Sequence, residues 1–299
     1  MIVFPPVRER SFASLQVGDV MRHTVLQKTC STPVRAAIVD FIKYKADALL
    51  VVDENRLAVG VVTKTEVLSC YYSELPIDTP LTAVMGAPVI SCPVDESLQN
   101  ALLTMHDRHI HRIYALDQNT GRPLGTLAYP DIVGVLYRYC CRCELSLHKR
   151  KADSCEQAGG RLRAKDVMHH SVISALAGAS VEAIIELLAS YRIGALLLVD
   201  DRGRPVGVLS KTNLVLAYRR GVPLSARAES IMRRQVLYCR ESTELEHALR
   251  QMIFAEVSRI FVIADDSEEV VGIVTLTDAA RARSGSCRAC GNSRIIPKE

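Results

Sequence analysis

No tryptophan occurs in this 299-residue chain, and Phe, Trp and Tyr together make up only 5% of it. Proteins that hold bases on aromatic platforms need more than this, which argues against a single-stranded nucleic-acid binder. Charge of one sign is also scarce. Thirty-seven Lys and Arg face 33 Asp and Glu, leaving +4, too small an excess to argue for DNA or RNA but suited to small anions. Apolar runs are short: Ala195 to Val199 has the length of a strand, whereas a membrane helix needs about 20 residues. No membrane span is expected. The Met1 segment meets Pro5, Pro6 and charge almost at once, so no leader is expected either and the chain reads as cytoplasmic. Neither a Gly-rich phosphate loop nor a Cys/His nucleophile arrangement is present, so the reading is not an enzyme.

What the chain does have is a repeat. A shift of 147 residues (21 to 168) carries Met21 onto Met168, Met85 onto Met232, Gly60 onto Gly207 and Asp131 onto Asp278 without a gap. One module is therefore built twice. Each half divides again. Val17-Gly-Asp-Val-Met21, Leu81-Thr-Ala-Val-Met85, Ala164-Lys-Asp-Val-Met168 and Ala228-Glu-Ser-Ile-Met232 open four similar stretches of about sixty residues.

In each stretch an apolar stripe at i, i+3, i+4, i+7 predicts an amphipathic helix. The four stripes are Val34, Ala37, Ile38, Phe41; Leu98, Ala101, Leu102, Met105; Val181, Ile184, Ile185, Leu188; and Leu245, Ala248, Leu249, Met252. Thr32 reads as an N-cap with Pro33 as first helical residue. Paired apolar runs around a polar turn follow, as at 195–199 and 206–209 around Asp200-Asp-Arg-Gly-Arg-Pro205, which predicts a hairpin. The expected fold class is α/β, a β-α-β-β-α unit four times over.

Units of this kind, opening on (Asp/Ser/Ala)-(Val/Ile)-Met and closing on Gly, two apolar residues, Thr/Ser-x-x-Asp, resemble cystathionine-β-synthase (CBS) domains. The resemblance implies CBS units at 17–72, 81–137, 164–219 and 228–283. Pairs of them would form Bateman modules over 17–143 and 164–290, joined by a linker at 144–163, and the two modules would form a pseudo-twofold disc. It further implies a regulatory sensor that binds AMP, ADP, ATP or S-adenosylmethionine in clefts between paired units. Such a sensor acts on a regulated protein that the sequence does not identify, as a monomeric disc or a homodimer.

Carried onto this chain, the closing motif is complete at Gly272-Ile-Val-Thr275-Leu-Thr277-Asp278. The second unit keeps Asp131 but has Ala128 for the Thr; the first has Thr63 with Glu66, the third Ser210 with Asn213. A carboxylate can accept from both ribose hydroxyls, so Asp131 and Asp278 are the expected ribose ligands, or else helix caps. Arg112 and Arg259 share the offset before apolar strands, where a guanidinium can grip a phosphate or simply end a solvated strand. His111 adjoins Arg112, and Lys64 and Lys211 follow Thr63 and Ser210.

The chain has ten Cys. Two Cys-x-x-Cys pairs, Cys140 with Cys143 and Cys287 with Cys290, recur at the same offset. Four thiolates suit zinc, the commoner structural metal, or an iron–sulfur cluster; redox pairs or thiols without a role are the alternatives. One shared metal requires the second unit to lie against the fourth. The basic 149–151 cluster reads as an exposed linker, and Cys92 and Cys239 as small buried strand residues.

Overall fold

The computed structural model describes residues 15–133 and 162–279. The first unit contains α1 (Val17–Val20), β1 (Gln27–Thr29), α2 (Val34–Lys43), β2 (Ala48–Val52), β3 (Ala58–Thr63) and α3 (Lys64–Tyr72). The second has β4 (Ser91–Cys92), α4 (Leu98–Asp107), β5 (Arg112–Leu116) and β6 (Pro123–Ala128), with 129–133 helical. The third has β7 (Ser174–Leu176), α5 (Val181–Ser190), β8 (Ala195–Val199), β9 (Pro205–Ser210) and α6 (Lys211–Arg219). In the fourth are β10 (Tyr238–Arg240), α7 (Leu245–Phe254), β11 (Arg259–Ile263) and β12 (Val270–Thr275), with 276–279 helical.

Each unit builds one three-stranded sheet, a parallel pair followed by an antiparallel hairpin, as in β1-β2-β3. The helix between the parallel strands is the crossover such a pair requires. All four apolar stripes read from the sequence are buried. Ser97 and Ser180 cap α4 and α5 through their hydroxyls. The expectation for α2 is corrected: Pro33 is the N-cap and the helix starts at Val34. Pro33 stays extended because it bridges to Pro80, while the Thr32 hydroxyl pairs with that of Thr29 at 3.0 Å.

The opening segments are exchanged within each module. Arg22 bridges to Thr126 of the second unit, and Gly86 bridges to Val61 of the first. In the other half His169 bridges to Ile273 and Arg233 to Val208. The recurring Met and Gly residues lock this exchange. A Cβ on Gly125, Gly60, Gly272 or Gly207 would stand 2.3, 2.4, 2.5 or 2.6 Å from the sulfur of Met21, Met85, Met168 or Met232. These residues, whose recurrence marks the repeat, serve packing.

The four units close a ring. One core is drawn from the first and third units, including Phe41, Leu49, Ile184 and Leu196. A second is drawn from the second and fourth, including Met105, Ile113, Met252 and Ile260. The sheets of the first module meet through Leu50, Val52 and Tyr114. A pseudo-twofold axis passes between α3 and α6. The rings of Tyr71 and Tyr218 stack there at 5.0 Å, and their hydroxyls donate reciprocally to the carbonyls of Val222 (2.5 Å) and Leu75 (2.6 Å). Among the described residues no helix is long and apolar enough to cross a membrane.

Candidate functional site

The closing motif works first as a capping box, in which a side chain at the third helical position reaches back to the start of the helix. Glu66 accepts from the Thr63 amide at 2.7 Å and from its hydroxyl at 2.5 Å. Asn213 does the same for Ser210 at 3.0 and 2.6 Å, and Asp278 for Thr275 at 2.9 and 2.6 Å. Asp131 accepts from the amide of Ala128 at 3.0 Å. The varied Asp, Glu and Asn at this position share one structural duty that all three can perform.

The second oxygen of each Asp meets a side-chain nitrogen of the exchanged opener. Asp131 Oδ1 accepts from Arg22 Nε at 2.5 Å, and Asp278 Oδ1 lies 2.9 Å from His169 Nε2. Both carboxylates are nearly buried, at 8% and 9% side-chain exposure, while Arg22 and His169 reach outward at 65% and 63%. Both oxygens of each carboxylate are thus engaged within the protein. Arg22 and His169 share the 147-residue offset but differ in kind, so a search for identical repeats passes over them.

Three cations that the sequence singles out, Lys64, Lys211 and Arg259, converge where the two modules meet. Lys64 and Lys211 are the first residues of α3 and α6. Lys64 Nζ donates to Asp47 at 2.7 Å and across the pseudo-twofold to Thr212 at 2.9 Å. Lys211 returns the contact to Thr65 at 2.8 Å. Burial lowers the Lys211 pKa and the charge on Arg259 lowers it further, against opposing pulls from Glu66 and Asp47. Arg259, opposite Thr275 in the β11–β12 register, is pushed down to about 10 by burial, with Asp47 opposing. Its guanidinium packs on Gly194, where a Cβ would stand 2.8 Å away, and donates to Ser258 Oγ at 3.2 Å. Neither Arg259 nor Arg112 ends a strand in open solvent; both are partly buried.

Thr275, Asp278, Arg259, Lys211, Lys64, Thr63 and Ser210 thus belong to one connected region around the axis. Arg112 stands apart in the first module, opposite Ala128 and bonded to Thr126 Oγ1 at 3.3 Å. His111 meets the Tyr129 ring edge-on at 5.7 Å. Asp47, Thr65 and Thr212 complete the region. Asp47 breaks the repeat, since position 194 holds Gly, whereas Thr65 and Thr212 share the 147-residue offset (65 to 212) and only their contacts with the two lysines mark them. Cys140, Cys143, Cys287 and Cys290 lie outside the described residues. Among the described residues no group of three or more His, Cys, Asp or Glu could hold a metal. Cys239 is buried in β10 and Cys92 partly buried in β4, both as free thiols.

Comparison with known proteins follows this geometry. Over 90% of this chain and 99% of the other, the fold matches the crystal structure of protein MJ1225 from Methanocaldococcus jannaschii, with a TM-score of 0.74 and 17% identity. A conserved protein from Pyrococcus horikoshii matches over 90% of this chain and all of its own, with a TM-score of 0.57 and 18% identity. At these identities the likeness is one of fold. The L-aspartate semialdehyde sulfurtransferase of M. jannaschii is 29% identical over 121 residues, 40% of this chain but 23% of that enzyme. Inosine-5'-monophosphate dehydrogenase of the same organism is also covered over only 23% of its length. The matched stretches span less than two thirds of these curated relatives. The CBS domain description matches residues 17–73, 81–138, 164–220 and 228–285, and with four matched units the chain belongs to the CBS domain family.

Proposed function

We propose that the chain is a regulatory sensor that binds an adenosine ligand (AMP, ADP, ATP or S-adenosylmethionine) between paired CBS units and passes occupancy to a regulated partner protein. One observation carries this reading: Arg259, Lys211 and Lys64 gather at the module junction, and burial depresses the first two. Holding cations out of water is costly without anionic partners. Asp47 and Glu66 are the carboxylates that act on them, so an arriving phosphate would add compensating charge. Asp278 lies one capping box from Thr275, which faces Arg259 across the strands. That succession suits a ribose at the carboxylate with its phosphate toward the junction. In the first module Asp131, with Arg112 and His111 nearby, offers the related but weaker set. The working units on this reading are the modules 17–143 and 164–290, in a cytoplasmic protein without catalytic duty. Signalling requires the ligand to prefer one arrangement of the ring over another.

Calorimetric titration of the full chain with AMP, ADP, ATP and S-adenosylmethionine tests the proposal. Arg259→Gln should weaken a phosphate-bearing ligand about tenfold or more, in line with loss of a charge-assisted hydrogen bond, and should leave S-adenosylmethionine little changed. Absence of saturable binding by all four ligands would reject the reading.

On the same reading a four-cysteine zinc or iron–sulfur centre would staple the modules. The rival reading is a metal or redox sensor that uses the Cys-x-x-Cys pairs, with vestigial nucleotide clefts. The shared core of the second and fourth units favours a common cysteine site. Ile132 and Val133, near the start of one Cys pair, and Ala279, near the other, are buried in that same core. Metal analysis of the purified chain, with visible absorbance to separate iron–sulfur from zinc, tests it.

A further inference from the structure

The two modules differ in the residues at which their paired sheets meet. In the first, Tyr114 on β5 stands opposite Thr126 on β6, so the two side chains share one sheet face. Arg112, two residues before Tyr114, is on that face as well and donates to Thr126 Oγ1. The face is turned toward Leu50 and Val52 of the first unit, with Val25, Val61 and Val89 packed around the contact. Tyr114 is only 3% exposed, and its hydroxyl has no hydrogen-bond partner among the described residues. Burial pushes its pKa up to about 12, with Arg112 opposing, so the group stays a neutral phenol.

A buried hydroxyl left without a partner destabilises the fold that holds it. In the second module the equivalent positions hold Phe261 and Ile273. Phe261 is 2% exposed, so the same buried place accepts a ring without a hydroxyl. Packing alone therefore does not demand Tyr114. The phenol and the Thr126 hydroxyl occur in one module and are replaced by carbon in the other, whereas the arginine of this face, Arg112 or Arg259, is present in both.

We propose that Tyr114 is a specificity-determining residue whose hydroxyl hydrogen-bonds the heterocycle of a ligand lodged between β2–β3 and β5–β6. The first module selects a base that presents a polar edge there, and the second, with Phe261 and Ile273, does not. The inference rests on the nucleotide reading above and adds that the two clefts are chemically unequal.

The test is Tyr114→Phe in the full chain, which makes the first cleft resemble the second at this position. Calorimetry with AMP and with S-adenosylmethionine is run on wild type and variant, together with thermal unfolding without ligand. One hydrogen bond predicts about a threefold to tenfold loss of affinity at one class of site, with the other class unchanged. The ligand-free Tm should stay level or rise. Wild-type affinity at every site for both ligands would overturn the role of the hydroxyl, as would a lower ligand-free Tm, which would mean that the protein itself satisfies the group. Failure of wild type to bind either ligand would instead overturn the nucleotide reading beneath it.

Discussion

At the scale of single residues, burial holds several thiols and phenols of this chain in their neutral form. Burial pushes the Cys239 thiol from 9.0 up to about 11, and burial with the nearby Glu96 charge does the same to Cys92. Tyr218 is driven up to about 12, first by burial. The sign of the linkage follows: the unfolded chain releases these protons at lower pH than the folded one. The stability that the two thiols contribute is complete below about pH 9 and is lost as pH rises through about 11. The urea midpoint should therefore fall between pH 9 and 11, and less steeply in Cys239→Ala. A flat profile for wild type would contradict the burial of these thiols. Asp131 and Asp278 illustrate the same scale differently, each using one oxygen to close a helix start and the other to hold Arg22 or His169.

At the scale of elements, the decisive feature is the exchange of opening segments. Gly207 lies in β9, where a Cβ would stand 2.6 Å from the Met232 sulfur and 2.9 Å from the Arg233 carbonyl oxygen. Replacing Gly by Ala inside a strand ordinarily favours folding by roughly 0.5–1 kcal/mol. Here the collision outweighs that gain, because the methionine can yield but the carbonyl is fixed by its bridge to Val208. Overpacking of this kind costs typically 1–3 kcal/mol. Gly207→Ala should be less stable than wild type in urea unfolding; equal or greater stability would show that the opener is not docked on β9.

At the scale of the molecule, each of the two large cores draws on both halves of the chain. A half chain of residues 1–147 would expose the apolar surface that α2 and α3 now bury against α6. The pseudo-twofold contacts, with Lys64 reaching Thr212 and Lys211 reaching Thr65, show that each half offers a surface suited to a copy of itself. The isolated half should therefore sediment as a dimer. A folded, monodisperse monomer would mean that the shared cores contribute little.

Much of this architecture is legible in the sequence. The helical stripes, the hairpins and the fourfold unit depend on local periodicity, which a chain carries wherever it folds. The capping boxes at Thr63, Ser210 and Thr275 are local too, since three residues separate the partners. Tertiary structure alone decided which residues meet over long separations. Arg22 finds Asp131 across 109 positions and Lys64 finds Thr212 across 148, and no spacing rule links such pairs. It also decided that the openers cross to the neighbouring unit, that Arg259 is drawn out of water against Gly194, and that the Tyr114 hydroxyl is buried. Periodicity states which face of an element avoids water; only the packing of distant elements determines what that face meets.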